Sequence, residues 1–300
     1  MLARHLDGFA TEQLRRLSNK LTRLIGLRWG NAFPFWYICE YPKSGGTWLG
    51  HMLADYLQLP FPQSPALPLA MACVVHNHWL PHPRLQRCFY LYRDGRDVMV
   101  SYYFHRLREC RSGALPFERA MARRFERLFG PDYAARDPRR NMARYIELEM
   151  SRPRGSRLNW PAHVAAWCFP RHDHVAYLAY EELLAAPVVT LARCLEKLDA
   201  VPVDHTRLRA SVERYAFARV AGRPPGHEDR STFLRKGIAG DWLNYFTREA
   251  AEVFDYYAGD ALINLGYEGD RSWVTSAALP SEASLGEWPP DAGVGARRCL

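Results

Sequence analysis

The chain has 300 residues, 48% of them hydrophobic and 13% aromatic, enough to bury a sizeable core in one large domain or one domain with appendages. No stretch approaches the roughly eighteen apolar residues of a membrane span, and the N-terminus lacks an apolar signal-peptide core, so a cytoplasmic protein with no stable membrane insertion is expected. The net charge of +8 favours anionic ligands; without a long Lys/Arg block or a zinc-finger or RRM signature, small anions rank ahead of nucleic acid, which is not expected as a partner.

The seven cysteines (Cys39, Cys73, Cys88, Cys110, Cys168, Cys194 and Cys299) are scattered and never form CxxC, which argues for reduced thiols and against a disulfide framework or a zinc site. In chain order, residues 1–30 read as a basic amphipathic helix. Leu14, Leu17, Leu21, Leu24 and Ile25 recur at helical spacing, with Arg15, Arg16, Lys20 and Arg23 mostly between them. Packing on the domain edge is favoured over a membrane surface. "FPFWYICEY" (33–41) reads as a buried strand and residues 47–57 as a helix. "RCFYLY" (87–92) is a second strand, followed by a helix; "HVAYLAY" (174–180) is a third, with "EELLAAPVVTLARCLEKL" helical after it. Residues 115–150 are helical in pattern, 221–240 form a Pro/Gly-rich surface loop, and 276–300 read as a disordered tail. Strands alternating with helices predict a single α/β domain over 31–275, a three-layer α/β/α unit around a parallel sheet.

"YPKSGGTWLG" (41–50) therefore joins a strand to a helix. Such a junction makes an anion site, because the first N–H groups of the helix lack internal partners and the dipole adds positive charge. Gly45 and Gly46 allow close approach, Ser44 and Thr47 add hydroxyls, and Lys43 adds a full charge. The Walker A order, GxxxxGK followed by Ser or Thr, is not met, since the lysine precedes the glycines. The strand at 87–92 leads into Arg93, which points to an anion held by cationic side chains with no metal.

Together the motifs resemble the sulfotransferases that use 3′-phosphoadenosine 5′-phosphosulfate (PAPS), of the cytosolic type with a P-loop-like fold. The family loop YPKSGTTW is similar to Tyr41–Trp48; "YLYRDGRDVMVSYYF", "RKGIAGDWLNYFT" (235–247) and "NWPAHVAAWCFPRHDHVAYLAYEEL" resemble three further family motifs in the family's order. The resemblance implies that Lys43, Ser44, Gly45, Gly46 and Thr47 hold the 5′-phosphosulfate, with Gly46 standing where the common pattern has Thr. It implies Trp48 and Tyr180 against adenine, and Arg93, Ser101, Arg235, Lys236 and Gly237 at the 3′-phosphate. In "VVHNHWLP", His78 takes the place of the family's base, His76 that of a lysine, and Trp79 is one residue extra; His76 is the second candidate for the base. The same resemblance implies that Lys43 assists the leaving phosphate, that PAP is the product, and that no metal is required. Of the family's dimer motif, Thr247 and Glu252 remain while Leu243 and Arg248 depart, so the oligomeric state stays open. The acceptor pocket is expected from residues 58–80, the helices of 115–165 and the 221–240 loop, for a small molecule, glycan or lipid. A P-loop kinase or other NTPase and a non-catalytic PAP-binding protein are the competing readings.

Overall fold

The computed structural model of the protein describes residues 2–30, 32–63, 65–169, 171–198, 202–276 and 279–285, with side chains from residue 10 onward. In chain order the elements are α1 (Leu2–Trp29), β1 (Phe35–Glu40), α2 (Gly46–Leu57), β2 (Cys73–Asn77), β3 (Cys88–Tyr92), α3 (Gly95–Ser112), α4 (Pro116–Phe129), α5 (Arg139–Ser151), α6 (Trp160–Cys168), β4 (Val175–Ala179), α7 (Tyr180–Ala185), α8 (Pro187–Leu198), α9 (His205–Arg214), α10 (Phe217–Ala221) and α11 (Arg248–Asn264). Short 3-10 turns follow at Asp241–Asn244, Arg271–Thr275 and Glu282–Ser284.

The strands are aromatic and β-branched in composition, and nearly every residue in them is buried. All pair in parallel, in the order β2-β1-β3-β4. Alternation sends Trp36, Ile38, Val74, Phe89, Leu91 and Leu178 to one face, where they pack on Leu49, Met52 and Leu53 of α2, Leu191 and Leu195 of α8 and Leu208 of α9. Tyr37, Cys39, Val75, Tyr90 and Tyr177 face the other way, against Trp79, Trp167 of α6 and Leu27 of α1. Tyr90 and Trp167 stack with ring centroids 4.7 Å apart. Beside this face, α3, α4, α5, α6 and α11 enclose a second apolar core around Tyr103, Phe125, Tyr145 and Phe254. Helices on both faces of a parallel sheet are the expected three-layer arrangement.

Four differences from the sequence reading have physical causes. β2 was hidden, because its five residues run straight into the histidine stretch without a turn signal. The helical run after residue 180 breaks at Ala186–Pro187, since proline cannot continue the hydrogen-bond ladder. The 115–150 run splits at Gly130, which closes α4 with φ 94°. Residues 279–285, placed in a disordered tail, are ordered here: Leu279 is buried, and Arg248 N–H donates to Pro280 at 2.9 Å. The rest of that tail, with Cys299, lies outside the described residues. The other six cysteines are buried free thiols.

One carboxylate fastens the late segment to the sheet. Asp97, in the first turn of α3, accepts from Gly240 N–H at 2.8 Å, Trp242 N–H at 2.9 Å and Arg93 Nη2 at 3.3 Å. Both members of the Arg93–Asp97 pair are buried. Removing one partner strands the other charge, so Asp97→Ala is expected to cost about 3–5 kcal/mol in chemical denaturation. A loss under about 1 kcal/mol would mean that this pair does not fasten the segment.

Candidate functional site

The strands all run the same way, so their carboxyl ends deliver side chains to one edge. The order reverses between β1 and β3, and such a switch point opens a crevice. Into it come the 41–47 loop after β1, His76 and His78 at the end of β2, Arg93 after β3 and Tyr180 after β4. They line a cavity of about 1480 Å³.

The loop is a backbone nest. Lys43 has φ 76° and Gly45 φ 111°, two left-handed residues that fold the loop tightly, with Ser44 N–H donating to Tyr41 O, before α2 begins at Gly46. A Cβ on Gly45 would lie 2.8 Å from the Tyr180 ring, so glycine is required there twice over. Lys43 is not glycine, and holding it left-handed costs about 1–3 kcal/mol. Its ammonium sits 3.9 Å from the Phe233 ring centroid. Burial first, and the neighbouring Arg108 next, bring its pKa down to about 7. Ser44 Oγ is buried with no partner.

Glu40, the last residue of β1, closes the nest. Its Oε2 accepts from Gly46 N–H at 2.5 Å, and its Oε1 lies 2.9 Å from His76 Nε2. Burial pushes this carboxyl up, but the His76 hydrogen bond and charge outweigh it and leave it below the usual range. A Cβ on Gly46 would stand 2.5 Å from His76 Nε2 and 2.7 Å from Glu40 Cδ. The glycine at 46 is thus matched to the Glu40–His76 pair, which fills the space a side chain would need. His78 Nδ1 lies 3.0 Å from the Glu40 backbone oxygen. A carbonyl only accepts, so Nδ1 carries the proton and Nε2 keeps its lone pair. Burial, then His76, take His78 down to about 4, which leaves the ring neutral at pH 7. Glu40, His76 and His78 bring possible ligand atoms within 4.8 Å of one another, so they are the described residues able to hold a metal. Two of the three side chains are already hydrogen-bonded to each other.

Arg93 is buried, donates to Ile238 O at 2.9 Å and lies 4.2 Å over the Tyr180 ring, while its Nε has no partner. Arg235 pairs with Glu228 and Asp241, and Lys236 Nζ reaches Asp241 Oδ1 at 2.5 Å. Burial raises Asp241, yet Arg235 and Lys236 hold it below the carboxylate range. The Trp48 indole N–H donates to Tyr215 O at 2.8 Å and its ring meets Tyr180 edge-on. Lys43, Gly45, Gly46, Thr47, Trp48, His78, Arg93, Ser101, Tyr180, Arg235, Lys236 and Gly237 all line the cavity, with His76 beside them; Ser44 alone stays beneath it.

The far end of the cavity differs from expectation. Helices α4 and α5 contribute none of its lining; the turn at Gly155–Arg157 does. Sequence reasoning missed α1, which supplies Glu12, Arg16, Asn19, Lys20 and Arg23, and, beyond Ser101, the α3 residues Tyr102, His105, Arg106 and Glu109. It also missed Glu40 and Phe233. A charged residue closing an apolar strand was the available signal for Glu40. The extra Trp79 has a structural use: its indole N–H donates to Asn19 at 2.7 Å and Arg23 lies 5.8 Å over its ring, which anchors α1.

The Gly46 match yields a double-mutant cycle. Gly46→Ala is expected to cost about 1–3 kcal/mol in thermal or urea unfolding, as overpacking does. In a Glu40→Ala background His76 can move, and the same change should cost clearly less. Strictly additive losses would show that the two positions are not coupled.

A family model described as the sulfotransferase domain matches residues 80–266, beginning just past the two histidines. Sulfotransferase 1B1 of Canis lupus familiaris is 27% identical over 264 residues, covering 73% of this chain and 80% of that one. Sulfotransferase 1A1 of Bos taurus is 26% identical, with 74% and 81% covered. The crystal structure of mouse sulfotransferase SULT7A1 complexed with PAP superposes with a TM-score of 0.52 at 20% identity, over 80% of this chain and 86% of that one. Retinol dehydratase in complex with androsterone and PAP gives 0.52 at 17%, over 76% and 80%. The match across more than half of the chain, on a parallel sheet carrying this loop, makes the protein a member of the sulfotransferase family.

Proposed function

We propose that the protein transfers a sulfuryl group from PAPS to a hydroxyl or amine acceptor by in-line displacement, with no metal. The observation that carries the reading is the anion cradle. The guanidinium of Arg93, whose buried Nε has no partner, a left-handed turn and the cations Lys43, Arg235 and Lys236 meet at one cavity, with the partnerless Ser44 Oγ buried just beneath it. A nucleotide with phosphates at its two ends suits that spread of donors better than a metal-bound triphosphate.

The bound cofactor supplies the activated sulfuryl group. Lys43, Ser44, Gly45, Gly46 and Thr47 would hold the phosphosulfate, Trp48 and Tyr180 the adenine, and Arg93, Ser101, Arg235, Lys236 and Gly237 the 3′-phosphate. An arriving phosphate competes with Asp241 for Arg235 and Lys236, and with Glu40 for Gly46 N–H. His78 Nε2 takes the proton of the acceptor, with His76 as the alternative. His78 is favoured, because His76 Nε2 is engaged by Glu40 whereas His78 is held through Nδ1. A protonated Lys43 offsets charge developing on the departing phosphate.

PAP should raise the midpoint of thermal unfolding by several degrees, and ATP with Mg²⁺ at the same concentration by much less. Equal or greater protection by ATP–Mg²⁺ would favour a kinase or other NTPase. His78→Ala should keep PAP protection and lose transfer by about 10²–10⁴-fold; full PAP protection with no transfer even in the native chain, across an acceptor panel followed by mass spectrometry, would favour a non-catalytic PAP-binding protein.

Acidity separates the two catalytic groups. His78 is an effective base only above about 4, and Lys43 is charged only below about 7. Because kcat/KM reports the free enzyme, it should stay level between these values and fall as pH rises past about 7. Lys43→Arg should move that alkaline limb upward; an unmoved limb would assign it to another group.

A further inference from the structure

The α1 helix leaves most of its leucines outside. Along its middle the face it turns to the body is small and polar: Ser18 and Thr22 are 1% and 3% exposed, and Thr22 Oγ1 accepts from Leu69 N–H at 2.9 Å; only towards its end do Ile25 and Leu27 pack against the core. A Cβ on Gly26 would run into the Tyr37 hydroxyl. The leucine stripe faces solvent instead, with Leu14, Leu17, Leu21 and Leu24 exposed by 52%, 52%, 37% and 56%. Residues spaced i, i+3, i+7 and i+10 share one side of a helix, so the four form a continuous apolar strip. An amphipathic helix normally buries that strip against its own core.

The charge around the strip selects what covers it. Residues 10–29 hold five basic side chains (Arg15, Arg16, Lys20, Arg23 and Arg28) and one acidic one, Glu12, which is paired with Arg16 at 2.9 Å. Lys20 is three residues from Leu17 and four from Leu24, so it borders the strip; Arg28 extends it, four residues past Leu24. A second copy of this chain would set like charge against like charge. Leucines in the middle with cations at the border match an anionic bilayer, where the apolar side chains enter the acyl boundary and the cations meet the headgroups.

We propose that α1 docks the protein on anionic membrane surfaces through Leu14, Leu17, Leu21 and Leu24, bordered by Lys20 and Arg28. The helix is held firmly enough to orient the molecule, through Asn19 on Trp79 and Thr22 on Leu69. Its Arg16, Lys20 and Arg23 also line the cavity, so docking sets the acceptor end of the cavity beside the headgroup layer. Resting on the proposed sulfuryl transfer, the acceptor class is then an amphiphile whose polar head bears the hydroxyl or amine.

The test uses the full chain and sedimentation with vesicles of phosphatidylcholine containing about 30% phosphatidylglycerol, or of phosphatidylcholine alone. Binding to the anionic vesicles is expected, at least tenfold weaker on pure phosphatidylcholine and reduced by high salt. Leu17→Glu/Leu21→Glu lies on exposed positions and should abolish sedimentation while leaving PAP-induced thermal protection unchanged. Arg28→Glu should weaken binding severalfold. No sedimentation of the native chain, or sedimentation unaffected by the leucine changes, overturns the proposal. So does a dimer seen by light scattering that the leucine changes disperse, if vesicles are not bound. Failure of PAP protection in the native chain would instead refute the sulfotransferase reading and leave the docking result standing.

Discussion

Like charges crowded at one sheet edge are the constraint around which the rest is arranged. Lys43, Arg93, Arg235 and Lys236 converge on a single cavity, and a buried cation without a partner is costly. The chain meets this in two ways. Carboxylates accept most of the positive charge: Asp97 takes Arg93, and Asp241 takes Arg235 and Lys236. Lys43 is treated differently. Its ammonium lies on an aromatic ring, and burial and nearby arginine charge lower its hold on the proton. The cations are therefore held in place by the chain's own carboxylates and rings.

These partners also do structural work. Asp97 takes two backbone N–H groups from the 240–242 stretch as well as the Arg93 guanidinium. A segment about 145 residues downstream is thereby fixed to the first turn of α3. The fold and the anion site share the same hydrogen bonds, which is why a motif late in the chain can contribute to a loop near its start. The 221–240 segment lies across that arrangement, held at Arg223 by carbonyls of its own backbone and placing Phe233 over Lys43.

What could be read from the sequence was what rests on local pattern. Three strands, the loop-to-helix junction and Arg93 at a strand end follow from apolar runs and their punctuation. The parallel α/β class follows from alternation. β2 did not follow, because three buried residues, Cys73 to Val75, leading into His76-Asn77-His78 look the same in a strand or a buried loop. The orientation of α1 could not be read from its pattern. Periodicity identifies which residues share a face, but not which face meets the body; the contacts of Thr22 with Leu69 and of Gly26 with Tyr37 decide that. Glu40 was passed over as the end of a strand, since its importance lies in a partner 36 residues away.

The departures from the family pattern become intelligible as pairs. Gly46 replaces a threonine, and Glu40 with His76 occupies the volume that a side chain there would claim. Trp79 is an insertion, and its indole anchors the helix that walls the far end of the cavity. Each substitution viewed alone looks like decay of a motif. Viewed with its partner, the first exchanges a hydroxyl for a carboxylate–imidazole pair beside the anion nest, and the second exchanges a plain turn for a fixed basic wall. The first change lies inside the loop itself and the second at the wall of the cavity, whereas Lys43, Arg93, Arg235 and Lys236 keep the family's pattern.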